Sequence, residues 1–386
     1  MRRTLVLAAA ALFVSACQQE PESPAEPPSP DTLKGAYHEA FLFGTAVNPA
    51  ITSGEDQIAH DLTVKHFNSI TVENVMKTEE INPEYGVYNF GPADEFVEFG
   101  ERHGMQIVGH TLVWHNQTPE WFFQDEDGEA LTPAAQAERM RRHIEVVAGR
   151  YAGRVHAWDV VNEVIADDGS YRPTTWVNAI GSGDEMVRLA FKYAEEYAPD
   201  TELYYNDFNA WRPEKRDGIV RMVKMLQDHG IRIDGIGIQG HWGMNYPKTE
   251  YIEAAIEAYA ELGVKVMITE MDVDVLPLTR EGQIIGTGML HPQFQNEEFM
   301  DYYNPWPDGL PADVEQQLAD RWAELFEIFY RYQDVIDRVA VWGVTDDMSW
   351  KNDYPVENRT NYPLLFNRDG SAKTAVEAIL GIPGRE

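Results

Sequence analysis

The sequence predicts an α/β fold, an eight-stranded (β/α)8 TIM barrel forming one large domain. Three observations predict it. Strand-like and helix-like segments alternate along the chain, the pattern of a parallel sheet covered by helices. Two of the strand-like runs, 155–161 and 264–268, are short, apolar and rich in β-branched residues, as buried parallel strands are. A carboxylate follows each, Glu163 and Glu270, and the C-terminal strand ends of such a sheet are where its sites form. The 386 residues, 44% of them hydrophobic, are enough for one such domain with insertions.

Strands are expected at 42–46, 69–72, 106–109, 155–161, 202–205, 235–238, 264–268 and 339–343. Helices are expected at 93–102, 132–148, 185–197, 213–229, 248–262 and 312–332. The first has an acidic start and a His103-Gly104 stop; the second opens Thr132-Pro133, a cap with proline in the first turn. The stretch 276–311 breaks the rhythm. It carries five prolines and the aromatics Phe294, Phe299, Tyr302, Tyr303 and Trp306. Following the Glu270 strand, it is expected at the barrel mouth as a solvated insertion or a substrate-facing wall or lid.

The N-terminus reads differently. Met1-Arg2-Arg3 is basic, 5–14 is apolar, and Val14-Ser15-Ala16-Cys17 follows. This is an export signal too short to serve as a membrane span. The tetrapeptide resembles the lipobox of bacterial lipoproteins, which implies lipidation at Cys17 and an exported, membrane-anchored protein of a bacterial envelope. The expected organisation is a signal at 1–17, a Pro/Glu/Ser-rich linker at 18–32 and the catalytic domain at 33–386. Cys17 is the single cysteine, so no disulfide within the chain is possible. A net charge of −33 argues against nucleic acid or an anionic surface as partner.

Nearly every expected strand ends in groups that suit sugar recognition. Glu73, Asn74 and Lys77 follow the second strand; His110, Trp114 and His115 the third. Asn162 and Glu163 follow the fourth, Asn206 and Asp207 the fifth, Gln239 and His241 the sixth. Glu270 and Asp272 follow the seventh, and Trp342, Asp346, Asp347 and Trp350 cluster at the eighth. Indoles stack on pyranose rings, while amides and carboxylates bond to hydroxyls. A pair of carboxylates facing one cleft is the minimum equipment for cleaving a glycosidic bond.

These stretches resemble the family 10 glycoside hydrolases, the endo-β-1,4-xylanases of the retaining barrel clan. The resemblance rests on Glu73-Asn74-Val75-Met76-Lys77, on 109–115, on Trp158-Asp159-Val160-Val161-Asn162-Glu163 and on Tyr205-Asn206-Asp207. It rests equally on 237–241, on Ile268-Thr269-Glu270-Met271-Asp272, on 342–346 and on the tail 361–366, all in family order. It implies Glu163 as acid/base and Glu270 as nucleophile. Asn162 would bond the sugar 2-hydroxyl or position the nucleophile. His241 would bond Glu270, and Asp272 would hold His241. Glu73, Asn74, Lys77, His110, Trp114, Asn206 and Gln239 would bind the substrate, with Trp342 and Trp350 as floor and wall around the −1 sugar. Two features depart from common family patterns: Thr78-Glu79 follows Lys77 where tryptophan is frequent, and 276–311 is longer than in compact members.

The resemblance implies a substrate of xylan or xylooligosaccharides and no obligate protein partner. No cofactor is expected. No metal is expected either: His-Glu-x-x-His spacing is missing and the domain has no cysteine. Two other readings remain open at this level: a related barrel glycosidase acting on β-glucan, and a surface-anchored xylan-binding lipoprotein with little turnover.

Overall fold

Parallel strands hydrogen-bond in a ring in the computed structural model of the chain, which describes residues 29–277 and 300–384. In chain order they are β1 (Leu42–Val47), β2 (Ser69–Val72), β3 (Gln106–Val113), β4 (Ala157–Asn162), β5 (Glu202–Asp207), β6 (Gly235–Ile238), β7 (His241–Gly243), β8 (Lys265–Asp274) and β9 (Ile336–Val341). Each barrel strand pairs with its neighbour, β6 pairs with β8, and β9 returns to β1 and closes the ring. The short β7 lies outside the eightfold count and pairs with the far end of β8, His241 opposite Asp272.

All eight expected strands are present, β2 and β6 with the expected bounds and the other six with shifted ends. β3 and β8 run on through polar residues where the apolar run stops; β4 starts two residues later than expected. β9 spans Ile336–Val341, so Trp342 lies just past the strand rather than inside it. The extensions of β3 and β8 have one cause. Laddering continues wherever a polar side chain can point into the barrel, which the end of an apolar run does not reveal. The six expected helices form within a few residues of their expected ends, and Thr132 caps the second through its hydroxyl, which accepts from Ala135 N at 3.3 Å. Helices such as Gln57–His66 and Thr374–Leu380 were not expected. Gln57–His66 buries Ala59, Thr63 and His66, a face too polar to register as amphipathic.

Apolar periodicity explains how helices cover the ring. The helix Ala312–Arg331 buries Leu318, Trp322, Leu325 and Phe329, spaced three to four apart, with Phe326 beside them on the same face. Phe326 stacks on Phe43 of β1, ring centres 5.4 Å apart. Truncating such a ring to alanine costs about 3–5 kcal/mol.

Inside the barrel, side chains two apart share a face. Val108, Ala157, Tyr204 and Met267 form a small apolar cluster apart from the main core. Two residues further along the same strands come His110, Asp159, Asn206 and Thr269, all polar and buried. The interior thus changes from apolar to polar at the C-terminal strand ends.

Residues 29–32 of the expected linker already belong to the fold, because Thr32 caps the helix Leu33–Ala36 and its hydroxyl donates to Ser29 O at 2.8 Å. Cys17 and the rest of the linker lie outside the described residues, as does 278–299 of the expected lid, with Phe294 and Phe299. Of the remainder, Tyr303 is buried against Val356, and the Trp306 carbonyl accepts from Tyr362 Oη at 2.6 Å. No helix among the described residues is long and apolar enough to cross a membrane.

Candidate active site

A cleft of about 660 Å³ opens at the C-terminal strand ends. Glu163 and Glu270 both line it, from β4 and β8.

Glu270 sits on β8 with only 6% of its surface exposed. Asn206 Nδ2 donates to its Oε1 at 2.7 Å, and His241 Nε2 lies 3.2 Å from its Oε2. The other ring nitrogen of His241 lies 2.8 Å from Asp272 Oδ2, which also accepts from Trp350 Nε1 at 3.0 Å. The result is a buried chain Glu270–His241–Asp272. Burial works against the charge on Glu270, but the His241 hydrogen bond, the nearby His110 and the Asn206 bond outweigh it and hold its carboxyl below the usual range. Burial likewise opposes a charge on His241. Asp272 and Glu270 overcome it, raising the imidazole to about 9. Asp272 is held low in the same way, burial being overcome by His241 and Lys351.

Glu163 follows β4 directly and takes a left-handed backbone, φ +59°. A side chain with Cβ rarely adopts this conformation, and such strain concentrates at functional positions. Its Oε1 accepts from Gln239 Nε2 at 2.9 Å and its Oε2 from Trp114 Nε1 at 3.0 Å. Gln239 also reaches the Asn162 amide at 3.4 Å, and Asn162 lies 3.0 Å from Asn206. The two carboxylates are therefore joined by a continuous row of amides. A glycine makes room for that row. A Cβ on Gly237 would stand 2.4 Å from Asn206 Oδ1 and 2.7 Å from Thr269 Cγ2, so any larger residue would displace Asn206 from Glu270.

The rest of the cleft is polar on one wall and aromatic on another. Lys77 Nζ donates to Asn74 Oδ1 at 2.8 Å and lies 4.9 Å from the centre of the Trp114 ring. Burial lowers the Lys77 pKa against the pull of Glu270, Glu73 and Glu163, and burial raises that of Glu73. His110 is fixed by Asp159 at 2.9 Å and packs edge-on to Trp342.

The family model for glycosyl hydrolase family 10 matches residues 32–382. The chain belongs to glycosyl hydrolase family 10. It is 41% identical over 350 residues to an endo-1,4-beta-xylanase A of Xylanibacter ruminicola, covering 90% of this chain and 92% of that protein. An endo-1,4-beta-xylanase of Geobacillus stearothermophilus is 40% identical, covering 91% and 98%. Among solved structures, a GH10 endoxylanase retrieved from a sugarcane soil metagenome superposes with TM-score 0.85 at 40% identity, covering 92% of this chain and 99% of that one. Xylanase XynB from Paenibacillus barcinonensis, complexed with a conduramine derivative, gives TM-score 0.81 at 34% identity, covering 91% and 98%.

In this family 10 barrel, Glu73, Asn74, Lys77, His110, Trp114, Asn162, Gln239, His241, Trp342 and Trp350 line the cleft with the two glutamates. Two residues that the resemblance gives a role at the site lie behind it. Asp272 is fully buried beneath His241. Asn206 was expected against the substrate, yet it is fully buried, its amide engaged by Glu270 and by Thr269 Oγ1 at 2.6 Å. It is Asn206, not Asn162, that touches Glu270 directly. Sequence reasoning missed Asn116, Arg172, Phe208 and Tyr354 as lining residues. Arg172 lies over the Phe208 ring at 4.6 Å, and Tyr354 packs on Trp350 at 5.2 Å. The signal for Phe208 was its place directly after Asn206-Asp207; Arg172 sits in the long connection after Glu163 and had none.

Proposed function

We propose that this chain is an endo-1,4-β-xylanase that hydrolyses internal β-1,4 bonds of xylan with retention, by double displacement. The observation that carries the reading is the unlike support of the two glutamates. Glu270 is backed by His241, which carries a proton up to about pH 9, and by an amide donor. Among the described residues Glu163 has the neutral donors Gln239 and Trp114. Glu270 is thereby kept as an anion able to attack the anomeric carbon. Among the described residues no cation is in hydrogen-bond contact with Glu163, and it is the member suited to bring a proton to the leaving oxygen. When the glycosyl–enzyme bond forms, the Glu270 charge disappears. Glu163 then takes a proton from the incoming water, which releases the sugar in its original configuration.

The aromatic wall supports a pyranose substrate. Trp342 and Trp350 offer indole faces, and Glu73, Asn74 and Lys77 offer hydroxyl partners. Activity on xylan agrees with the names of the relatives, and the export reading adds a lipid anchor at Cys17 and an envelope location. The decisive experiment measures reducing-sugar release on xylan against carboxymethylcellulose and follows the first product by proton NMR. The β-anomer should appear first; an α-anomer would refute retention. Labelling with radioactive palmitate, abolished by Cys17→Ser, tests the anchor.

A further inference from the structure

A second cavity, of about 490 Å³, lies outside the cleft. Its size falls within the range of about 300–1,000 Å³ that ligand pockets occupy. Tyr85, Trp121, Gln124, Glu126, Asp127 and Arg139 are among its lining residues. None of them takes part in the chemistry proposed above.

Two tight turns build it. The first is Glu84-Tyr85-Gly86-Val87, closed by Val87 N to Glu84 O at 3.0 Å, with Gly86 at φ +74° supplying the left-handed position. The buried Asn82 braces it from below, donating to Glu84 O at 3.0 Å and Val87 O at 2.6 Å. The second turn begins at Asp125, whose Oδ1 accepts from Asp127 N at 3.0 Å and Glu129 N at 2.9 Å. Arg139 joins the two walls. Its Nη1 donates to the carbonyls of Trp121 and Gln124, both at 2.7 Å, and its guanidinium faces both Tyr85 and Trp121. The indole is locked as well, with Trp121 Nε1 donating to Pro83 O at 2.8 Å.

This bracing holds a large ring in water. Tyr85 is 71% exposed at the tip of its turn, and its ring stands at 78° to that of Trp121, centres 5.8 Å apart. An exposed aromatic fixed in this way contributes little to the core. Its preorganised face and the carboxylates of Glu126 and Asp127 are what a neutral, hydroxylated ring would need. The same carboxylates would repel an anionic ligand.

The position of the walls identifies the occupant. Each continues a segment whose earlier residues line the cleft: Lys77 leads through the helix Thr78–Ile81 to Tyr85, and Trp114 to Asn116 lead to Trp121. Glu79 N donates to Gln117 O at 2.8 Å and ties the two segments together between the sites. We propose that the Tyr85–Trp121–Arg139 cavity is a second saccharide-binding site, which holds a distant stretch of the same polymeric xylan whose bond is cut in the cleft. This rests on the xylanase reading for the identity of the polymer.

The test compares Tyr85→Ala and Tyr85→Phe with the unchanged protein on polymeric xylan and on an aryl xylobioside, which is too short to span both sites. Tyr85→Ala should lower kcat/KM on the polymer by roughly three- to tenfold, the loss of one stacking face. It should leave aryl xylobioside turnover unaltered, which also certifies the fold. Tyr85→Phe should behave like the unchanged protein. Mobility in native gels containing soluble xylan gives a readout independent of turnover, and Tyr85→Ala should be retarded less. Equal losses on both substrates, or no change in either polymer kinetics or gel retardation, would overturn the proposal. If the unchanged protein is retarded by xylan through Tyr85 but does not cleave it, the site stands and the catalytic reading fails.

Discussion

His241→Gln is the perturbation whose consequences follow most directly from the geometry. The imidazole lies between two buried carboxylates, 3.2 Å from Glu270 and 2.8 Å from Asp272, and its side chain is only 5% exposed. Glutamine keeps the bulk and one donor but removes the charge. Two anions then share a buried space, with Trp350 Nε1 and the more distant Lys351, 3.9 Å away, left for Asp272. Breaking a buried pair from one side costs about 3–5 kcal/mol. The pKa of His241 gives a comparable figure. A rise from 6.5 to about 9 corresponds to on the order of 3 kcal/mol of stabilisation by the charged form, at about 1.4 kcal/mol per unit.

The sign follows from linkage. His241 binds its proton more tightly folded than unfolded, so its contribution is complete below about pH 6.5 and is lost as the pH rises through about 9. Glu270 and Asp272 are held low, so theirs is present above the usual carboxylate range and lost as the pH falls. Urea midpoints of the unchanged protein should therefore fall between pH 7 and 10, and those of His241→Gln should be lower at pH 7 and nearly flat over that range. In the same variant the acid limb of kcat/KM, set by ionisation of the nucleophile, should move to higher pH, because the His241 bond that holds the Glu270 carboxyl low is gone. An unmoved acid limb together with a parallel stability profile would refute the account of Glu270 as an anion maintained by His241.

Glu163→Gln should lower kcat/KM on xylan at least about 100-fold, while an aryl xylobioside with a good leaving group keeps most of its first step and shows a burst of released phenol. Glu270→Ala should reduce both substrates to background; near-normal turnover would remove it as nucleophile. Gly109→Ala should destabilise by about 1–3 kcal/mol in urea titrations, because its Cβ would stand 2.3 Å from the ring atoms of the buried Trp158, between the strands that carry His110 and Asp159.

The strands were legible because parallel barrel strands are apolar on both faces, and the carboxylates were legible because they stand just past the apolar runs of β4 and β8. Their partners were much less so. Asp207 ends β5 and Asp346 follows β9, much as Glu270 stands past the apolar run of β8, and the sequence does not separate them. The structure does. Asp207 is buried against Lys215 Nζ at 2.7 Å, and Asp346 against Lys373 Nζ at 2.6 Å. Both are internal ion pairs, whereas Glu270 faces the cleft. The deciding residues stand 8 and 27 positions away in the chain, on helices or at their caps, where spacing carries no sign of pairing. For the same reason the sequence places Asn206 against the substrate. A strand-end asparagine reaches either substrate or neighbour depending on the residue across the barrel, and here Gly237 leaves the neighbour's side open.

The cleft lies in a chain of net charge −33, and Glu73, Glu163, Glu270 and Asp272 lie in or beneath it. Left to the overall field, such a cluster would gain protons. Besides the half-buried Arg172 at the cleft wall, the opposing charges lie inside: Lys77 at 7% exposure, Lys351 at 4%, Arg338 at 0% and His241 beneath the surface. Arg338 lies inside the barrel, Nη1 3.2 Å from Thr71 Oγ1, and acts electrostatically on Asp159 and Glu270. Burial lowers the pKa of both Lys77 and Arg338, which marks the cost of keeping them there. Surface cations would be screened within about 8–10 Å at ordinary ionic strength. Charges fixed in the barrel are screened far less, so the ionisation of Glu270 depends on the fold itself and little on the salt around it.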